Sequence, residues 1–155
     1  MIHSIPFYEQ LIEELGILPA LREYDPKWVG TIPIDVHIEG SDIDIICKKG
    51  PLLATYIQEK FGDLPHFKIT KSPERVVCNF NFRDIPFEIY AEEKETAKQN
   101  GYLHMIAEEN LLKQHGEGLR EQVRAYKRAG FKTEPAFAKA LKIEGDPYLE
   151  LLKFA

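Results

Sequence analysis

The sequence predicts an α+β fold, with a sheet in its first part and a helical C-terminal half. Three observations carry this. Strand-type alternation of β-branched and polar residues is confined to residues 28–91, apolar residues at helical spacing (Phe7, Leu11, Ile12, Leu15) precede it, and past Ala91 only helical periodicity remains.

In chain order, the first helix carries Phe7 to Leu15 and is stopped by Gly16, and a second short helix is expected over residues 18–24. Residues 28–47 read as two strands separated by the turn Glu39-Gly40-Ser41. Helical character returns over residues 51–61, with Pro51 suited to a first turn and Gly62 just past the end. Residues 67–69, 75–82 and 86–91 read as three strands, the last two joined by a hairpin turn at Arg83-Asp84. Residues 97–114 and 117–129 are helical and separated by His115-Gly116, and a third helix begins at Glu134-Pro135.

A chain of 155 residues buries roughly two-thirds of its unfolded surface around one core, so a single domain over 1–155 is expected, its core about 1–92 and its helical part about 96–155. With 44% hydrophobic and 29% charged residues the composition is that of a folded globular protein. No apolar run approaches the roughly 20 residues of a membrane span, and the start Met1-Ile2-His3 lacks a cationic signal region, which together read as a cytoplasmic protein with no membrane partner. Cys47 and Cys78 sit in strand-like apolar stretches and read as buried reduced thiols. A net charge of -5 argues against a broad surface for duplex nucleic acid and leaves small anionic substrates open.

The segment most informative about chemistry is Val29-Gly30-Thr31-Ile32-Pro33, followed by Gly40-Ser41-Asp42-Ile43-Asp44-Ile45-Ile46. Alternate strand residues share a face, so Asp42 and Asp44 project together, opposite Ile43 and Ile45. Adjacent carboxylates repel, and a divalent cation relieves the repulsion; hard oxygen ligands of this kind suit magnesium or manganese. The plainer alternative is a strand with one water-facing side. Gly30, with no β-carbon, lets backbone amides approach a phosphate, and the hydroxyls of Thr31 and Ser41 can donate to it. Glu88, between Phe87 and Ile89, faces away from the core on a later strand, where it can join the two aspartates.

Lys127, Arg128 and Lys132 cluster at a helix end and the turn after it, where basic residues answer the helix macrodipole or bind phosphate. Lys132 is the phosphate-binding candidate, with Thr133 read as the cap of the next helix and Pro135 in its first turn. His104, in a helix beside Tyr102 and Met105, is a candidate substrate contact, against the plainer reading of a satisfied helix histidine. Tyr24 and Trp28 read as packing residues, and no nucleophile elbow is present.

A Gly-Thr turn, an Asp-hydrophobic-Asp-hydrophobic strand and a later single acid in a strand resemble the signature of DNA-polymerase-β-type nucleotidyltransferases. Over nearly its whole length the chain also resembles a bacterial family placed in that superfamily, domain of unknown function 4269. That resemblance rests on Val29-Gly30-Thr31-Ile32-Pro33-Ile34, Gly40 to Ile46, Phe87-Glu88-Ile89, Gln99 with Tyr102-Leu103-His104-Met105, and Gly130 to Ala138 running on to Gly145-Asp146-Pro147-Tyr148. It implies a mixed sheet with helices packed on one face and a helical extension closing the cleft. It also implies transfer of a nucleoside monophosphate from a nucleoside triphosphate to an acceptor hydroxyl, dependent on Mg2+ or Mn2+. Asp42 and Asp44 would hold the metal that carries the triphosphate, Glu88 would complete a second site, and Gly30, Thr31 and Ser41 would cradle phosphates. Many relatives carry Ser-Arg or Ser-Lys and a helical turn after the glycine, whereas Thr31 is followed by Ile32-Pro33. The alternative on the same scaffold is a non-catalytic nucleotide-binding or protein-interaction module, including a toxin–antitoxin component. The acceptor stays open among a protein side chain, an aminoglycoside-like molecule and a tRNA end, the last disfavoured by the acidic charge.

Overall fold

The computed structural model describes residues 2–155. Seven α-helices and five strands are found among them, with α1 at Ile5–Leu15, α2 at Ile17–Ala20, β1 at Lys27–Val29, β2 at Ile43–Lys48 and α3 at Leu53–Phe61. The hairpin strands β3 (Lys68–Lys71), β4 (Arg75–Phe82) and β5 (Ile85–Glu92) follow, then α4 (Asn100–His115), α5 (Glu117–Arg128), α6 (Thr133–Leu141) and α7 (Pro147–Glu150).

The strands form one mixed sheet in the order β1-β2-β5-β4-β3, in which β2 and β5 are parallel and the other neighbours antiparallel. The β4–β5 turn is the two-residue hairpin expected at Arg83-Asp84, both residues having positive φ (50° and 64°) as such a turn requires. Period-two patterning sends Ile43, Ile45 and Cys47 of β2, Phe87, Ile89 and Ala91 of β5, and Val76, Cys78 and Phe80 of β4 to one face. There they meet Tyr8, Leu11 and Ile12 of α1 and Leu53, Ile57 and Phe61 of α3 in the first hydrophobic core. Gly16, in the left-handed region at φ 68°, ends α1 as expected. The second helix is shorter than expected, breaking at Leu21 into a single 3-10 turn.

A second core joins Leu111 and Leu112 of α4, Leu119 and Val123 of α5, and Ala136 and Phe137 of α6 to Ile34 and Val36. That last pair explains the main departure from the expected strands. The first strand ends at Val29; residues 32–35 form a turn, and Val36 N–H donates to the Thr31 carbonyl at 3.0 Å. A strand would turn Ile32, Ile34 and Val36 to one face, whereas Ile32 belongs to the first core and the other two to the second. Residues 30–41 are therefore a strap between the cores.

Three arginines spaced four apart on α5 hold that strap. Arg120 Nε donates to the Asp35 carbonyl at 2.9 Å, Arg124 donates to the His37 carbonyl at 2.9 Å and to the Asp35 carboxylate at 2.8 Å, and Arg128 makes a two-pronged pair with Glu39 at 3.0 and 3.1 Å. The Arg128 guanidinium holds the Glu39 carboxyl down at about 2. At the other end, Gln99 interrupts the expected continuous helix: its backbone is extended, and its buried side chain donates to the carbonyls of Cys47 and Lys94 at 2.8 and 3.0 Å, tying the start of α4 to β2.

Arg124→Ala removes a forked, charge-assisted contact and is expected to cost about 1–3 kcal/mol in a denaturant titration, with Arg124→Lys recovering only part because an ammonium cannot reproduce the fork. Burial pushes both cysteine thiols up to about 12. Below pH 9 native and unfolded chains both keep those protons; between 9 and 12 only the unfolded chain releases them, so this contribution to stability falls as pH rises across that interval. The thiols are accordingly expected to resist a disulfide-exchange reagent at pH 8 until denaturant is added.

Candidate active site

The sheet face opposite the first core carries a row that crosses all five strands in register: Val29, Asp44, Glu88, Asn79 and Lys68. Parallel pairing of β2 with β5 sets Asp44 directly beside Glu88. Asp42, just ahead of β2, projects to the same side. The three acids singled out by sequence are thus neighbours on one face.

Their electrostatics follow from crowding. Burial, and then the charges of Asp42 and Glu88, raise the Asp44 carboxyl well above the usual carboxylate range; protonated, it donates a hydrogen bond to Asp42. Glu88 is also raised, by burial first and then by Asp42, against a hydrogen bond donated by Asn79 Nδ2 to Glu88 Oε2 at 3.4 Å and the charge of Lys132. Gly30 lies at φ 91°, and a β-carbon there would sit 2.5 Å from Asp44 Oδ2. Glycine is required here by the aspartate as well as by the bend.

Two hollows of about 370 Å³ each open on this row. One lies between the sheet and α4 and includes Gly30, Asp44, Glu88, His104, Glu108 and Glu134 in its walls. The other is walled by the end of the strap and α5, with Ser41, Asp42 and Lys127. Thr31, Asp44 and Thr133 belong to both. Ser41 Oγ already accepts the Ile38 N–H at 3.0 Å, which leaves its own proton free to donate into the hollow. His104 Nε2 donates to the Tyr148 carbonyl at 2.7 Å, so the ring is anchored while it lines the first hollow.

The lysine that enters the site is Lys127. Its half-buried ammonium donates to Thr133 Oγ1 at 2.8 Å and feels Glu134, Glu108, Asp42 and Asp44; burial lowers its pKa against those charges. Lys132 stays exposed at the start of α6, where its charge reaches Glu88. Thr133 is the first residue of α6 rather than its cap; the cap position falls on Lys132, which has no side-chain acceptor and makes no cap bond, while the Thr133 hydroxyl accepts from Lys127. Sequence reasoning also passed over Glu108, which is 2% exposed on α4 and has an Oε2 with no hydrogen-bond partner. Burial raises it well above the carboxylate range, and a hydrogen bond with Glu134 raises it further. The available signal was its position one residue after Ala107 and three before Leu111, on the helix's apolar stripe.

Among the described residues, no group of three His, Cys, Asp or Glu side chains is drawn close enough to hold a metal ion as it stands. The chemistry of the donor set nevertheless fits a hard divalent cation. Asp42 and Asp44 are already within hydrogen-bonding reach of each other, Glu88 is the adjacent oxygen donor, and Asp44 is held protonated for want of positive charge.

A family model described as Domain of unknown function (DUF4269) matches residues 10–154. Comparison with curated proteins finds no match. Among solved structures, the chain is similar to a cytoplasmic RNA terminal U-transferase, with a TM-score of 0.61 and 9% identity over 79% of this chain and 38% of that one. It is also similar to the Cid1 poly(U) polymerase in an MgGTP-bound structure, with a TM-score of 0.65 and 10% identity over 88% of this chain and 48% of that one. The polymerase core of TRAMP, an RNA surveillance complex, matches with a TM-score of 0.53 and 17% identity over 97% and 55%. The chain therefore spans 38–55% of the length of these structures, and what it shares with them is the nucleotidyltransferase fold. No helix among the described residues is long and apolar enough to cross a membrane.

Gly30→Ala is expected to lose about 1–3 kcal/mol of stability, because the new methyl meets Asp44 and the backbone cannot relax to negative φ. A thermal melt should show a fall of about 2–4 °C per kcal/mol for a chain of this size; an unchanged melting temperature would show that Asp44 is free to move away.

Proposed function

The chain belongs to the family described as Domain of unknown function (DUF4269), and from that premise we propose that it is a metal-dependent nucleotidyltransferase, moving a nucleoside monophosphate from a nucleoside triphosphate to an acceptor hydroxyl. The observation that carries the reading is the in-register pair Asp44 and Glu88 on parallel strands, with Asp42 beside them and Gly30 bent against Asp44.

In this reading Asp42 and Asp44 hold the cation that accompanies the triphosphate, and Glu88 completes a second position. Magnesium or manganese bound there would neutralise phosphate charge and make the attacking hydroxyl more acidic. The strap supplies the phosphate cradle, with backbone amides at Gly30 and Thr31 and the Thr31 and Ser41 hydroxyls as donors. Lys127 lines the Ser41 hollow from α5, and Lys132, exposed at the start of α6, adds a charge that reaches Glu88. The acceptor oxygen attacks the α-phosphorus, its proton passes to Glu88, and the bond from that phosphorus to the bridging oxygen breaks. Pyrophosphate leaves with the electron pair. His104, anchored by Tyr148, offers Nδ1 to substrate in the neighbouring hollow.

A binding module without turnover is the second reading. What favours it is that the three carboxylates are not gathered into a ligand cluster as they stand. Isothermal titration with magnesium and each of the four nucleoside triphosphates is expected to give metal-dependent binding of at least one, abolished by Asp42→Asn; absence of such binding sinks both readings. Pyrophosphate release that disappears in Asp44→Asn separates the enzyme from the binder. Lys127→Ala is expected to weaken nucleotide binding by about 10–100-fold, the worth of one charge-assisted hydrogen bond.

A further inference from the structure

A pair of acids stands behind the ammonium of Lys127. Glu108 lies on the apolar stripe of α4, is 2% exposed, and has as its polar neighbour another carboxyl, that of the half-buried Glu134 in the first turn of α6. Carboxylates only accept, so two carboxyl groups bond to each other only when a proton lies between them. Glu108, the more deeply buried, keeps that proton, and Glu134, near the N-terminus of α6, carries the pair's negative charge. The charge faces Lys127, whose ammonium donates to Thr133 Oγ1 at 2.8 Å, one residue before Glu134, and feels Glu134 and Glu108 more strongly than Asp42 and Asp44. Among the described residues no ion pair within 4.0 Å joins Lys127 to an acid. The attraction therefore acts through space and depends on where the Glu134 carboxylate is held.

We propose that Glu108 is a positioning residue for Lys127: by donating a hydrogen bond to Glu134 it fixes that carboxylate toward the ammonium, which Thr133 holds from a second side, and so keeps Lys127 charged and aimed into the Ser41 hollow. That the held ammonium serves a phosphate rests on the transferase reading; that the two acids hold it does not. The single shared proton sets the balance. With both acids charged, a triphosphate would meet an extra negative charge behind the one cation that lines its hollow; with neither charged, a half-buried ammonium would lose its strongest counter-charge. The Thr133 hydroxyl takes one N–H of the ammonium and leaves the others for phosphate. A polar side chain on the apolar stripe of α4 is costly there, and the hold on Lys127 is what its presence supplies.

Two measurements on the whole chain test this. Labelling with acetic anhydride, read peptide by peptide against the exposed Lys132, reports how Lys127 is held without any nucleotide. Glu108→Leu cannot donate and is expected to raise Lys127 labelling about fivefold, whereas Glu108→Gln, neutral and still a donor, stays within about twofold of the unaltered chain. Isothermal titration with magnesium and each of the four nucleoside triphosphates reads the consequence, on whichever binds most tightly. Glu108→Leu is expected to bind it about tenfold more weakly, Glu108→Gln to recover most of that loss, and Glu108→Leu to change affinity by less than about twofold in the Lys127→Ala background. An acid that merely added negative charge would give the opposite sign, since either substitution would then tighten binding of an anion. The melting temperature of Glu108→Leu is expected at or above that of the unaltered chain, because an apolar group of similar volume removes the cost of burying a carboxyl; Glu108→Met takes its place if it does not fold. Equal labelling in all variants, Glu108→Gln as damaging as Glu108→Leu, or a Glu108→Leu effect that persists without Lys127 overturns the proposal. If the unaltered chain binds no triphosphate, the transferase reading falls and the labelling ratio alone decides for or against the carboxyl pair.

Discussion

The structure around the site is governed by one unfavourable interaction, the crowding of carboxylates at the open end of the sheet. Parallel pairing in a fixed register puts Asp44 next to Glu88, and period-two alternation brings Asp42 to the same side. Within the row Asn79 can donate to Glu88, but Asp44 has no such neighbour, because its other cross-strand partner is Val29. Further relief has to come from outside the sheet. Asp44 keeps its proton, and Lys127 arrives from a helix remote in sequence. Each response is what a group short of positive charge does in a place that water reaches poorly.

The strap makes those responses compatible with a folded chain. It leaves β1 at Gly30, where a side chain would strike Asp44, and returns to β2 at Ser41. Between those points it gives Ile32 to one core and Ile34 and Val36 to the other, so the two cores are joined through the segment that also borders the acids. The arginines of α5 fasten it from the far side mainly through backbone carbonyls and short acids, contacts that fix position as well as charge.

Much of this was legible in the sequence, and the reasons are local. The faces of β2, β4 and β5 follow from strict alternation, the hairpin from two turn-forming residues between apolar runs, and the three acids from their phase relative to Ile43, Ile45, Phe87 and Ile89. The strap was misread because Ile32, Ile34 and Val36 alternate like a strand, and only the presence of two cores breaks the pattern. Lys127 was passed over for Lys132 because a basic residue in a last helical turn has a sufficient local explanation; its approach to Asp42 and Asp44 is a tertiary fact. Glu108 was hidden for the opposite reason. A glutamate within a long helix reads as solvated unless its place on the apolar stripe is weighed, and here that place is decisive.

Lys127 and the arginine clamp also share a helix face. Lys127 follows Arg124 by three positions and Arg120 by seven, so one stripe of α5 both grips the strap and delivers the ammonium to the acids. The depth of Lys127 is therefore set by how closely the strap is held, and the strap in turn ends at Ser41 beside Asp42. A shift of α5 along its axis would move the cation and loosen the phosphate-facing turn together. Glu108 meets that ammonium from a separately anchored element, since α4 is pinned to β2 through Gln99. The two hollows share Thr31, Asp44 and Thr133, and Lys127, bonded to Thr133, feels carboxylates of both: Asp42 on one side, Glu108 and Glu134 on the other.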